Sequence, residues 1–166
     1  MMWDSDQYWQ KARLYIQKGQ EPGRDPWERP FWYALSLEFL ARAALVKIHP
    51  VLNADPQHEG VNLMYALGYE IKGEPKSIPI HAVLARLEHT LPKFQKPQRE
   101  FADFFMIQRN REVHTSDLPF VDLAESKWLA GFYAVCSVLA ESISQTLAAL
   151  LGDEEAASAK KLLAAD

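Results

Sequence analysis

The sequence predicts an all-α fold, an up-and-down bundle of four to five main helices with short accessory helices. Apolar residues recur at three- and four-residue spacing over several long stretches, which is the pattern of a helix that buries one face. No strand-like alternation is long enough to compete with it. The 166 residues are 48% hydrophobic, which is enough for one domain, residues 1–166, to bury its own core.

The N-terminal part, residues 1–29, is expected to form a helix and a loop. Asp4 or Ser5 can cap a helix that continues to about Lys18, and Gly19 ends it. Several Pro and Gly residues follow, which is typical of an irregular connection.

The core bundle is expected over residues 30–151. Pro30 suits the first turn of its opening helix, because the missing N–H would be unpaired there, and Pro50 ends that helix. Ser77 is the predicted N-cap of a later helix. The predicted helices cover, in chain order, residues 30–49, 61–69, 78–91, 98–114 and 121–151. Residues 152–166 form a tail that either adds a short peripheral helix or frays.

Two of these helices have a distinct apolar pattern. In the helix over 98–114, Phe101, Phe104 and Phe105 form the predicted core stripe. In the last helix, apolar residues recur at heptad-like spacing: Trp128, Phe132, Val135, Leu139, Ile143, Leu147 and Leu150. The stretch from Trp128 to Leu151 has the length of a membrane span, but its Glu, Ser, Gln and Thr side chains are disfavoured in lipid. We therefore expect no membrane association.

Charge and cysteine content narrow the class of protein further. The net charge is −4 and there is a single cysteine, Cys136, which excludes an intramolecular disulfide framework and suits a reducing, cytoplasmic setting. Residues 86–111 nevertheless hold six basic side chains against three acidic ones. Such a locally basic zone suits an anionic ligand, although exposed charges are often only a solvated surface.

The most reactive stretch of the chain runs from Arg109 to His114, at the end of the helix predicted over 98–114. If the helix continues to its end, Asn110 and His114 are one turn apart on one face. Arg109 lies beside them with a long side chain. A permanent cation, an amide and a group that can carry a proton near neutral pH are thus predicted to lie together.

The pattern Arg109-Asn110-x-x-x-His114 resembles the hallmark of the HEPN superfamily of small helical domains. That hallmark is an Arg, usually followed by a polar residue, then a His after four to six residues near the end of a core helix. Further features fit the same resemblance: an acidic, Leu- and Ala-rich early helix over 34–45, Ser77-Ile78 before an apolar helix, and a long helix containing Trp128.

The resemblance implies a four- or five-helix bundle that dimerises through its motif helices. Many members are metal-independent endoribonucleases of toxin–antitoxin, phage-defence or RNA-processing systems. The expected partners are accordingly a second copy of the chain, an RNA substrate, and an antitoxin or a nucleotidyltransferase-like protein. Other members have lost catalysis and serve protein assembly or bind anionic or nucleotide ligands, and this is the alternative function.

Metal-independent RNA cleavage assigns a role to each motif residue. His114 can act as general base or general acid. Arg109 can hold a phosphate through two parallel N–H bonds and stabilise the charge of the transition state. Asn110 can orient His114 or donate to a phosphate oxygen. Two copies facing each other would supply two histidines, one for each proton transfer.

Residues outside the motif have weaker signals. Arg111 and Lys96 are candidate contacts to the RNA backbone. Glu38 either faces the motif and tunes His114, or pairs with Arg42 one turn away. The other histidines lack metal-ligand spacing, so we expect no metal site, and no nucleotide-binding fingerprint indicates a cofactor. The competing interpretation of the motif is a solvated helix end with His114 favourably placed at its C-terminal dipole.

Overall fold

The computed structural model describes residues 2–165, and these form eight α-helices packed as a bundle. The helices are α1 (Ser5–Gly19), α2 (Glu28–Ile48), α3 (Val61–Ala66), α4 (Ile80–Thr90), α5 (Lys96–His114), α6 (Leu129–Ser142), α7 (Leu147–Leu151) and α8 (Asp153–Ala164). The predicted all-α fold class, with long helices and short accessory ones, is confirmed.

Backbone pairing outside the helices is slight. Within residues 2–165 there is no β-strand, and an isolated antiparallel bridge joins Ala54 to Ser77. This bridge closes the connection between α2 and α4, which also contains two 3₁₀ turns and α3. We call residues 49–79 the α2–α4 excursion.

None of the helices in the described part of the chain combines the length and the apolar character needed to cross a bilayer.

The helices α1 and α2 form a closely packed hairpin. A Cβ added at Gly19 would lie 2.7 Å from the Tyr33 ring, so only glycine fits where α1 ends against α2. The Ser36 hydroxyl donates to the backbone oxygen of Ala12 at 2.7 Å in the buried interface. These contacts hold α1 against α2, and α2 lies at the centre of the bundle, where it also contacts α4, α5 and α6.

The core of the bundle is aromatic. Phe105 of α5 stacks on Trp128 with ring centroids 5.6 Å apart, and it meets Phe132 of α6 edge to face. Tyr33 of α2 stacks on the same Phe132 at 5.0 Å. These contacts join α2, α5 and α6, and stacked or edge-to-face rings add stabilisation beyond their buried area. The position of α5, and hence of its C-terminal motif, follows from this packing.

The single helix predicted over 121–151 was wrong. A 3₁₀ turn precedes α6, which ends at Ser142, and Ser144 has a positive φ of 60°. The Thr146 hydroxyl then accepts from the backbone N–H of Ala149 and caps α7. Hydroxyl side chains that can bond to the backbone favour such breaks over a continuous helix. Most of the apolar residues assigned to this segment are nonetheless buried.

Two smaller predictions were also wrong. Ser77 does not cap α4, since it pairs with Ala54 in the β-bridge and Pro79 occupies the N-cap position. Phe104 does not belong to the core stripe of α5, because 37% of it is exposed.

The C-terminal segment is packed rather than frayed. Gly152 has a φ of 86° and lets the chain turn from α7 directly into α8. Ala159 of α8 is fully buried in the main core, and Leu163 packs against it.

Candidate functional site

The helix α5 carries the motif to its last residue. It ends at His114, and the Thr115 hydroxyl donates to the backbone oxygen of Arg111 at 2.6 Å just beyond that end. Asn110 and His114 are therefore one turn apart, as expected, and both are exposed. The prediction that helix continues through the motif is confirmed.

Arg109 points inward from the same turn. Its Nη1 donates to Glu38 Oε1 of α2 at 2.5 Å, and both side chains are only 14% exposed. Its Nε donates to Asn110 Oδ1 at 3.0 Å. Within residues 2–165, Nη2 makes no protein hydrogen bond and is not sealed from solvent. The guanidinium is thus held on one side and keeps a donor on the other.

Glu38 lies between two arginines. Besides the bond from Arg109, its Oε2 accepts from Arg42 Nε at 3.1 Å, one turn along α2. Glu38 therefore faces the motif helix and also pairs with Arg42, but among the described residues no hydrogen bond joins it to His114, so its tuning of His114 stays a prediction. One carboxylate shared by two guanidinium groups leaves this cluster with one net positive charge.

Arg42 extends the cluster away from α5. It is buried, its Nη1 donates to Asn53 Oδ1 at 2.8 Å, and its Nη2 donates to the Ile78 backbone oxygen at 2.9 Å. We call Glu38, Arg42, Asn53 and Arg109 the Glu38 cluster. Sequence reasoning missed the part played by Asn53, because helical spacing says nothing about a residue outside the helix.

The Glu38 cluster also reaches α1. The Tyr8 hydroxyl accepts from Asn53 Nδ2 at 3.3 Å. Burial raises the pKa of the Tyr8 phenol, so it stays protonated beside the cluster.

His114 lies apart from Arg109 within one chain. Five residues of helix separate them by about 140° around the α5 axis, and no hydrogen bond to the His114 side chain occurs in the described part of the chain. Arg109 therefore faces α2 while His114 faces solvent, and no hydrogen bond joins Asn110 to His114. One copy of the chain does not bring Arg109 and His114 to a common point.

The side of α5 that carries His114 also carries apolar side chains. Ile107 is 55% exposed and lies seven residues before His114, which is nearly in line on a helix. Phe104, one turn earlier, is partly exposed on the same side. Phe104 and Ile107 together leave apolar surface exposed on this side of α5.

The two other basic candidates occupy different places. Arg111 donates to Gln108 Oε1 at 2.8 Å and to Asp117 Oδ2 at 3.2 Å, so it ties the end of α5 to the following loop. Lys96 is 83% exposed beside Glu100. It begins α5, eighteen residues from His114, or about 27 Å along the axis. The structure thus keeps Arg111 near the motif and places Lys96 at the other end of the helix.

A second polar cluster lies on the opposite face of α2. Glu155 of α8 accepts from Tyr33 at 2.7 Å, from Tyr133 at 2.9 Å and from Gln20 at 3.0 Å, with Arg29 at 3.4 Å. We call these five residues the Glu155 cluster. Burial, and after it the Glu155 charge, raises the pKa of both tyrosines. Sequence reasoning missed this cluster entirely.

Three other features of the described residues bear on function: metal ligands, the cysteine and the open cavity. No group of three or more His, Cys, Asp or Glu side chains in residues 2–165 is arranged to hold a metal ion. Cys136 is fully buried, and burial raises the pKa of its thiol, so it is a packing residue. An open cavity of about 720 Å³ borders the Glu155 cluster, but Glu125, Asp153 and Glu154 also line it and make it acidic.

No protein-family model matches the chain, and neither the curated proteins nor the solved structures include a significant match to it. The resemblance to HEPN domains therefore stays a prediction from the sequence.

Proposed function

We propose that the chain is a HEPN-like endoribonuclease of toxin or defence type that works as a homodimer. The observation that carries the proposal is the last turn of α5, where Asn110 and His114 are exposed and Arg109, which faces α2, keeps a free donor. RNA cleavage by transesterification uses a group that transfers protons and a cation that binds phosphate.

In the proposed reaction the 2′-oxygen of the RNA attacks the adjacent phosphorus and the bond to the 5′-oxygen breaks. One histidine takes the 2′-hydroxyl proton as the new bond forms, and a second gives a proton to the departing 5′-oxygen. The products are a 2′,3′-cyclic phosphate and a 5′-hydroxyl. Nη2 of Arg109, held in place from its other edge by Glu38, donates to a phosphate oxygen as negative charge develops.

The dimer supplies what one chain lacks. The proposed reaction uses two histidines, and the motif of a single copy contains one, His114. Pairing two α5 helices through Phe104 and Ile107 would cover their exposed apolar surface. It would also bring two His114 side chains to one cleft across a two-fold axis. Arg111 is then placed to contact the RNA backbone beside that cleft.

The alternative is a catalytically silent HEPN-like domain for protein assembly or for binding an anionic or nucleotide ligand. One observation favours it: in the described chain no side chain orients His114, whereas a catalytic histidine usually has an orienting partner. An antitoxin or a nucleotidyltransferase-like protein would be the partner of such a domain. Binding of RNA without cleavage would favour this alternative.

The test is RNA cleavage in the presence of EDTA by the wild type and by His114→Ala. We expect the variant to cleave at least about 10²-fold more slowly, since it loses its general acid and base. His89→Ala is the matched control, because His89 is an exposed histidine on the neighbouring helix α4. Cleavage retained by a folded His114→Ala protein would overturn the proposal.

A further inference from the structure

We infer that Arg42 is a positioning residue for Arg109: it acts through Glu38, without touching the RNA, and keeps the motif arginine oriented and available to phosphate. The inference deepens the proposed function and rests on it for the effect on RNA. The side-chain arrangement on which it depends can be tested without RNA.

All three nitrogens of the Arg42 guanidinium donate hydrogen bonds. Each has a different partner: Glu38 at 3.1 Å, Asn53 at 2.8 Å and the Ile78 carbonyl at 2.9 Å. A planar guanidinium with every edge bonded cannot rotate without breaking one of these bonds. Arg42 therefore fixes Oε2 of Glu38, and with Oε2 fixed, Oε1 is presented to Arg109 in one orientation.

Two partners of Arg42, Asn53 and Ile78, lie near the two ends of the α2–α4 excursion. These ends are joined there, because the Ile78 N–H donates to the Asn53 backbone oxygen at 3.0 Å. A rigid anchor outside α2 thus holds a residue on α2, which in turn holds the motif residue on α5. Contacts that hold the neighbours of a reacting group in this way can position that group to within a fraction of an ångström.

The charge of Arg42 matters as much as its geometry. Glu38 paired with Arg109 alone would form a neutral, largely buried ion pair, and the carboxylate would oppose the approach of a phosphate. The second guanidinium gives the cluster its net positive charge, in a site where solvent screening is weak. Arg42 thus leaves Arg109 effectively cationic towards an incoming anion.

The RNA experiment is a double-variant cycle with Arg42→Gln and Glu38→Gln. We expect Arg42→Gln to slow cleavage on the order of tenfold to a hundredfold, in line with the cost of a small displacement of a reacting group. Because Arg42 acts through Glu38, the same change made in Glu38→Gln should have an effect of less than about threefold. Equal effects in both backgrounds would overturn the inference.

Arg86→Gln is the matched control, because it should loosen the α2–α4 excursion without removing a partner of Glu38. Arg86 Nη1 donates to the Leu52 backbone oxygen at 2.6 Å, so it holds the residue next to Asn53 without touching Glu38. We expect cleavage by Arg86→Gln to stay within about twofold of the wild type. A loss equal to that of Arg42→Gln would show that only the stability of the excursion matters, and would overturn the inference.

A second measurement does not depend on RNA. The Nη1 hydrogens of Arg109, one of which donates to Glu38, can be observed by ¹⁵N NMR, and their exchange with water reports how firmly Glu38 holds this side chain. We expect faster exchange in Arg42→Gln than in the wild type, and unchanged exchange in Arg86→Gln. Equal exchange in Arg42→Gln and the wild type would overturn the inference.

The two measurements separate failure of the inference from failure of the proposed function. If the wild type cleaves no RNA, the proposed function falls, while the NMR result still decides whether Arg42 positions Arg109. If Arg42→Gln does not fold, Arg42→Lys replaces it. A lysine keeps the charge, but its three N–H donors lie on one nitrogen and cannot reach all three partners of the guanidinium. The Nη1 hydrogens of Arg109 should therefore again exchange faster, and unchanged exchange would overturn the inference.

Discussion

The Glu38 cluster and the Glu155 cluster lie on opposite faces of α2. Arg29 and Glu38 are nine residues apart on this helix, which is two and a half turns. Each cluster gathers donors around one carboxylate that is mostly buried, and each ties α2 to other helices. They differ in net charge. Glu155 has one arginine beside it, Arg29, whereas Glu38 is shared by Arg42 and Arg109, so only the Glu38 cluster has a surplus positive charge.

This difference separates a structural cluster from a candidate site. A mostly buried carboxylate that accepts several hydrogen bonds stabilises the packing around it. A cluster with surplus positive charge at the edge of solvent can attract an anion. The Glu38 cluster, which has that surplus, is therefore the candidate site.

The largest expected effect on stability comes from removing the carboxylate of Glu155. In Glu155→Ala the buried hydroxyls of Tyr33 and Tyr133 lose their shared acceptor and Arg29 loses a counter-ion. We expect the free energy of unfolding to fall by about 3 kcal/mol, measured by urea denaturation. Glu154→Ala is the control, because Glu154 is an exposed neighbour on the same helix. Equal losses in the two variants would show that the cluster does not anchor α8.

The next effect concerns the surface beside the Glu38 cluster. Ile107→Asp should convert the proposed dimer to a monomer with little change in the folded chain, because it places a charge in the proposed α5 interface. Sedimentation velocity would measure this. Val113→Asp is the matched control: Val113 is 54% exposed against 55% for Ile107, but it lies about 120° away around α5. A monomeric wild type, or two variants that dissociate equally, would contradict an interface on this side of α5.

The smallest effect is a pH dependence of stability to which the two tyrosines of the Glu155 cluster contribute. The pKa of Tyr33 and of Tyr133 is raised in the folded protein by burial and by the Glu155 charge. Above pH 10 the unfolded chain therefore releases these protons before the folded one does, and stability falls as pH rises. Each tyrosine contributes a slope of up to about 1.4 kcal/mol per pH unit.

Tyr133→Phe should make the loss of stability between pH 10 and pH 11 shallower. Thermal denaturation over this range measures the slope, and Tyr69→Phe is the control because Tyr69 is largely exposed. An unchanged slope in Tyr133→Phe would contradict the assignment of Tyr133 to a buried hydrogen bond with Glu155.

The sequence predicted the fold class and most helices because helical periodicity and Pro or Gly boundaries are local signals. It failed over 121–151, where apolar spacing continues through a break caused by hydroxyl residues between Ser142 and Thr146. It located Arg109, Asn110 and His114, since a motif is also local. Apart from Glu38, the partners of Arg42 lie 11 or more residues away along the chain, as do those of Glu155, and only tertiary packing brings such residues together.

We propose that the Glu38 side of α2 contains the functional site and that the Glu155 side stabilises the fold. The most direct test of this claim is the RNA cleavage rate of Arg109→Gln, normalised to folded protein. The variant loses a mostly buried ion pair with Glu38, so its stability should fall. Glu38 keeps its bond to Arg42, and the chain should still fold. The rate should fall by about 10² to 10³, as expected for loss of a donor to transition-state charge. A folded Arg109→Gln protein that cleaves RNA at the wild-type rate would contradict the claim.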